Sequence, residues 1–460
     1  MSEPPRMRGQ RMVRRRLGLG ALGGGAALLA ACGPTAAPGS GPAGASREPV
    51  ELTLAVRNIP AEVKSWENVF GVFVEQSNGR YRGNFLPTEA GEDLHTEKVY
   101  TLMAGGTPPD VFNLVARFKA DFAGRKLVTD LTTRIRNSKT ARPDLYFKPM
   151  QEAMAYQGKL WGTAEDYNTT VIFLNLSLFK EAGITPPRLD WTYDEYRDLA
   201  RRLRQPEKEQ WGGDNWLQGA GLQNITTLWS FGKQKWISDD GTKALVNAPP
   251  AVQAHQAFQQ LAFADRTIPS QATPAAAGKS GDQGYFGIWA GWANKPWQLQ
   301  QVNQGSTPYE WTMHPFPRGP ADQKQGAQGH LYAIPSGAPR QDDAWVLAEW
   351  IGGLEGWKQF VKLGKGIPLP MADRALWEAY YDYLPKEKAN ELIDLVLNRF
   401  YPQYSMDISY PPYYAELQKI MADAERQMFG PPQAAPKATL DEAARLMQAV
   451  LDQQRESAPR

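Results

Sequence analysis

Strand-like and helix-like stretches alternate between residues 50 and 114, and that alternation predicts an α/β fold with a parallel sheet. Two further observations agree. Hydrophobic residues make up 42% and charged residues 22% of the chain, ordinary for a globular protein and wrong for a disordered one. At roughly 100–200 residues per domain, 460 residues suit two or three domains or one large two-lobed unit.

The elements follow in order. Residues 50–56 alternate apolar and polar, which reads as a strand ended by Asn58-Ile59-Pro60. Residues 61–77 place Val63, Trp66, Val69, Phe70 and Phe73 at helical spacing. A second strand is expected over 81–87 and a second helix over 95–104, stopped by Gly105-Gly106 and Pro108-Pro109. Residues 110–114 then read as a short buried strand. Thr192 and Glu195 form a capping-box pattern before an apolar-periodic stretch, and Thr439 and Glu442 repeat it. Residues 205–220 read as an insertion loop, 330–335 as a strand and 345–360 as one helix. In open α/β sheets ligands lie beyond the carboxyl ends of the strands. That rule points to the loops around Asn58, Thr88-Glu89 and 114–117.

The first residues are of another kind. Arg6, Arg8, Arg11 and the run Arg14-Arg15-Arg16 precede an uncharged stretch over 17–31, the layout of a secretory signal. Fifteen residues are too few for a spanning helix, which needs about 20. The stretch ends in Leu29-Ala30-Ala31-Cys32, and Cys32 is the sole cysteine. That ending resembles the lipobox of bacterial lipoproteins, which implies lipidation of Cys32 and an exported protein anchored to a membrane. Residues 33–46 are Gly, Pro, Ser, Thr and Ala only, a flexible tether of about 20 Å. A G-x-G-x-x-G match over 18–23 lacks the preceding strand that a dinucleotide site needs and is rejected.

Composition excludes several function classes. There are 51 Lys plus Arg against 49 Asp plus Glu, so no nucleic-acid footprint is indicated. One cysteine excludes a disulfide framework or a Cys-built zinc site, and four scattered His disfavour a His-built metal centre. No cofactor motif occurs.

Several stretches resemble the bacterial extracellular solute-binding proteins, sugar-binding family 1. Ala104-Gly105-Gly106-Thr107-Pro108-Pro109-Asp110-Val111-Phe112 resembles that family's A-G-x-x-P-D-v-f motif. Leu127-Val128-Thr129-Asp130-Leu131-Thr132 and Tyr156-Gln157-Gly158-Lys159-Leu160-Trp161-Gly162 follow in the family's order. Phe173-Leu174-Asn175, Phe179-Lys180-Glu181-Ala182-Gly183 and Pro186-Pro187 continue it, with Thr163-Ala164 departing where proline is usual. The resemblance implies a type II periplasmic-binding-protein fold: a lobe of 49–167 and 329–368, a second of 168–328 and 369–460, and a hinge. It implies capture of a small molecule, here a saccharide, for the transmembrane permease of an ABC import system, by a monomer without catalysis.

Fifteen Trp and 18 Tyr fit a saccharide ligand, because flat aromatic faces suit the C–H faces of sugars while amides and carboxylates bind their hydroxyls. By resemblance Trp292 and Trp289 are expected to stack on a sugar, and Asn168 and Arg117 to contact it. Asn58 and Glu89 are expected contacts at strand ends, and Tyr404 and Tyr410 are further stacking candidates. Alternatives remain: the same fold binding a polyamine, peptide or phosphorylated polyol, or a glycosidase using carboxylates among Glu89, Glu92, Asp93, Glu165 and Asp166.

Overall fold

β1 (Val50–Val56) leads into helix α1 (Val63–Gln76), then β2 (Tyr81–Pro87), α2 (Glu92–Ala104) and β3 (Val111–Val115), as the periodicity predicts. α1 buries Trp66, Val69, Phe70 and Phe73, the stripe visible in the sequence. β1 lies between β2 and β3 and is parallel to both, so the carboxyl ends of all three strands face one way. The computed structural model describes residues 48–60, 62–218, 221–270, 279–305, 308–364, 366–407 and 413–457, all within one compact unit. The expectations for the signal, the tether, Cys32 and Tyr410 lie outside these described residues.

Beyond β3 the sheet is mixed rather than parallel. A small hairpin of β4 (Ala155–Tyr156) and β5 (Lys159–Leu160) stands apart. The long strand β6 (Thr163–Asn175) is followed by β7 (Trp211–Gly213), β8 (Phe286–Trp292), β9 (Trp311–His314), β10 (Gln325–Ala333) and β11 (Ser405–Asp407). Their order is β2-β1-β3-β10-β6-β8-β7, with β11 on β10 and β9 on β6. β10 runs antiparallel to both β3 and β6. Local alternation of strand and helix cannot reveal this, because β10 comes from far along the chain to lie beside β3.

β6 has 13 residues, longer than most strands. Its positions 163–169 pair with β10, while 170–174 pair with β8. Its later half separates two hydrophobic cores by simple alternation. Val171 and Phe173 join a first core with Trp66, Phe112, Tyr332 and Trp357. Ile172 and Leu174 join a second with Trp191, Tyr196, Phe258 and Phe429.

Three local expectations are corrected. Residues 205–220 are not simply a loop: β7 pairs in parallel with β8. The helix expected over 345–360 is two, Gln341–Gly352 and Leu354–Leu363. They part at Gly353, where a Cβ would lie 2.4 Å from the Glu349 carbonyl oxygen, too close for any other residue. The capping box of Thr192 and Glu195 forms as expected, but that of Thr439 and Glu442 does not. The final helix already begins at Pro436, and the Thr439 hydroxyl donates to the Ala435 carbonyl at 3.0 Å. Among the described residues no helix is long and apolar enough to cross a membrane.

Candidate functional site

The carboxyl ends of β1, β2 and β3 meet the middle of β6 and β10, and charged groups gather there. At the exposed edge the Asn58 N–H donates to the Glu89 carbonyl at 3.1 Å, joining the loops after β1 and β2. α2 opens with Glu92 and Asp93, and carboxylates in a first turn are favoured by the helix dipole. Arg117, in the turn after β3, pairs with both. Its Nη2 lies 2.7 Å from Asp93 Oδ1, and its Nη1 donates to Glu92 Oε2. The same guanidinium lies 5.4 Å from the ring centre of Tyr414, a residue of the second core. Arg117 thus stands where the two cores approach each other.

Deeper in, the charges are buried. Arg57, directly after β1, is 5% exposed, and its backbone N–H donates to Asn113 Oδ1 at 2.9 Å. Its guanidinium lies 3.6 Å from Glu92 and 3.7 Å from both Glu165 and Asp166. His330 of β10 sits opposite Asp166 of β6. The His330 Nδ1 is 2.6 Å from Asp166 Oδ1, and its Nε2 is 3.2 Å from Glu92 Oε1. Gln328 donates to the same Glu92 oxygen at 3.2 Å.

Burial and proximity set the protonation of this cluster. Although burial opposes ionisation of Glu92, the His330 hydrogen bond and the charges of Arg117 and Arg57 hold its carboxyl well below the usual range. Burial and Arg57 oppose protonation of His330, yet Asp166 and Glu92 push it up to about 9. Burial lifts Glu62, in the turn after β1, to about 7. Burial and the neighbouring Asp166 raise the Glu165 carboxyl as well, and among the described residues neither of its oxygens has a hydrogen-bond partner.

Glu165, Asp166 and His330 bring donor atoms within 4.8 Å of one another, a spacing that a metal ion could use. The residues fit one poorly. The Arg57 guanidinium already stands at the carboxylates, and both ring nitrogens of His330 are engaged by Asp166 and Glu92. What the cluster offers is fixed donors beside fixed acceptors, a pattern that suits neutral, hydroxyl-rich molecules.

Comparison with known proteins accords with this geometry. A family model described as bacterial extracellular solute-binding protein matches residues 84–356. The chain belongs to that family. An arabinooligosaccharide-binding protein of Bacillus subtilis is 26% identical over 201 residues, 42% of this chain and 42% of that one. A putative binding protein of Brucella abortus is 22% identical over 273 residues, 56% of this chain and 62% of the other. The chain thus spans less than two thirds of the length of these curated relatives. Among solved structures, an ABC substrate-binding protein of Listeria monocytogenes in complex with cycloalternan superposes with a TM-score of 0.72 at 18% identity, covering 88% of this chain and 99% of that one. The maltose-bound MalE3 of T. maritima gives 0.69 at 17%, covering 87% and 100%. The fold of this solute-binding protein is therefore the type II periplasmic-binding-protein fold.

The residues singled out by sequence do not all converge. Asn58, Glu89 and Arg117 border the charged cluster. Asn168 lies beside it on β6, opposite Gln328, and its amide donates to Asn294 Oδ1 at 3.0 Å. Trp292, the last residue of β8, is half-buried two positions before Asn294. Trp289 is a core residue, 4% exposed, with its indole stacked on Phe173 at 4.4 Å between ring centres. The stacking role expected for it is at odds with that burial. Tyr404 lines a shallow depression with Arg318, Asp322, Lys324 and Gln403. Sequence reasoning missed Glu62, Gln328 and His330 as members of the cluster. The available signal was the acidic pair Glu165-Asp166 inside a stretch of strand character, since buried carboxylates require nearby partners.

Proposed function

We propose that this solute-binding protein captures a sugar or oligosaccharide between two lobes and hands it to the membrane permease of an ABC import system. The observation that carries the reading is Arg117, held by Glu92 and Asp93 on one side and lying against Tyr414 of the second core on the other. A solute placed there can receive hydrogen bonds from a fixed guanidinium and donate to fixed carboxylates. The relatives named for arabinooligosaccharide and bound to cycloalternan or maltose support a saccharide as the solute class.

In this reading the β6–β10 pair runs through the hinge between the lobes. Residues 369–401 pack with the first core, beside Trp66 and Phe112. Bridging solute favours the closed form, which the permease reads. Export and a lipid on Cys32 would keep the monomeric protein at the outer face of the cytoplasmic membrane. The protein binds its solute unchanged; it is not an enzyme.

Thermal melting tests this. Protein lacking residues 1–31 is heated with arabinotriose, maltotriose, cycloalternan and tagatose, then with spermidine, a short peptide and a phosphorylated polyol. A ligand at 100 times its Kd stabilises by about 2.7 kcal/mol, enough to move the melting temperature measurably. A shift with one saccharide, recovered intact, is the expected result. A response confined to the other compounds replaces the sugar with that class, and conversion of the saccharide replaces capture with catalysis.

A further inference from the structure

His330 faces two carboxylates at once and is itself 4% exposed. A neutral imidazole has one N–H and one lone pair, so only the doubly protonated ring can donate to both Asp166 and Glu92. If one proton leaves, the shorter contact keeps its own. Asp166 Oδ1 lies 2.6 Å from Nδ1 and also takes the His330 backbone N–H at 3.0 Å. The lone pair then falls on Nε2, facing Glu92 Oε1 at 3.2 Å, and attraction becomes repulsion. Glu92 is the hub between this ring and the exposed edge. Its Oε1 meets His330 and Gln328, while its Oε2 accepts from Arg117.

We propose that His330 is a positioning residue for solute capture, its imidazolium bracing Glu92 so that Glu92 in turn presents Arg117 to the solute. The proposal rests on the capture reading above. Capture then weakens as the ring loses its proton in mildly alkaline solution.

The groups around the ring set the terms. From the end of β1, Arg57 opposes its charge while Glu62 favours it. From β6, Asp166 and Glu165 favour it. From α2, Glu92 favours it, whereas burial keeps His95 neutral with its Nε2 at the Asn113 carbonyl. Asp93 and Arg117 reach the ring only through Glu92. On the ring's own strand, burial holds the Tyr332 phenol un-ionised. Glu62 and Glu165 are buried acids that exchange protons nearby, and a Glu165 variant serves as the control for such exchange.

The experiment pairs calorimetric titration with arabinotriose and maltotriose at pH 6.5, 8 and 9.5 with hydrogen exchange of residues 88–104, free of sugar and corrected for intrinsic rates. Sugar affinity is expected to weaken by roughly tenfold across that range, within the usual span of coupling between sites. Exchange in α2 is expected to rise over the same interval. In His330→Gln both responses flatten at the high-pH level. Glu92→Gln flattens them by removing the hub, which gives a second route should the His330 variant fail to fold. Glu165→Gln keeps a pH response, displaced toward lower pH because one carboxylate that favours the imidazolium is gone. A flat wild-type profile with normal sugar binding overturns the brace and leaves the capture reading intact. A profile that survives in His330→Gln, or vanishes in Glu165→Gln, also overturns it. If neither sugar binds, a pH-dependent α2 exchange lost in His330→Gln upholds the brace while capture of these sugars fails; exchange without pH dependence overturns the brace.

Discussion

Asn168 and Asn294 are joined by a side-chain hydrogen bond of 3.0 Å, amide of the first to carbonyl of the second. Asn294 donates onward to the Gly366 carbonyl at 2.7 Å, so the middle of β6, the segment after β8 and the loop before residue 367 share one short polar chain. The buried Oδ1 of Asn168 has no hydrogen-bond partner among the described residues. A buried acceptor left unpaired costs about 1–3 kcal/mol, and a solute hydroxyl placed there would remove that cost.

Asn168→Ala should therefore weaken saccharide binding by roughly tenfold, the loss of about one good hydrogen bond, while shifting the melting temperature little. Calorimetric titration beside a melting curve separates the two effects. Equal affinity in variant and wild type would remove Asn168 from the site.

Arg117→Ala should be more severe. It takes the partner from two carboxylates and a cation from the Tyr414 ring. A solute hydrogen bond to a charged group is worth about 1.5–3 kcal/mol, so binding should fall by roughly ten- to a hundredfold. Arg117→Lys should recover only part of it, because an ammonium cannot fork to Glu92 and Asp93 together.

Stability should decline as solution becomes alkaline. The folded state holds a proton on His330 up to about pH 9, while the free side chain loses it near 6.5. Stability from this group is fully present below about pH 6.5 and is lost as pH rises through 9. Glu62, raised to about 7, acts with the same sign: its share is present below the usual glutamate value and is lost as pH rises through 7. Melting temperatures should fall between about pH 6.5 and 9.5, and His330→Gln should flatten that fall toward its upper end.

Two tryptophans three residues apart should behave differently. Trp289→Ala removes a buried indole stacked on Phe173 and should cost about 3–5 kcal/mol of stability. Trp292→Ala, at a half-buried position, should cost less stability but should lower saccharide affinity. Denaturant unfolding and calorimetric titration of both variants decide the pair.

The sequence on its own determined a great deal of the local structure. The alternation over 50–56, the α1 stripe, the capping box at Thr192 and the family motifs from Ala104 to Pro187 each depend on residues a few positions apart. Strand-end logic likewise led to Asn58, Glu89 and Arg117 from the sequence alone. Tertiary structure decided the rest. Whether β10 would lie antiparallel beside β3, whether Trp289 or Trp292 would be buried, and that His330 would stand between Asp166 and Glu92 are matters of distant pairing. His330 and Glu92 are far apart in the chain, and no local pattern encodes their meeting. A charge buried in a strand announces that it needs a partner; only packing determines which one it receives.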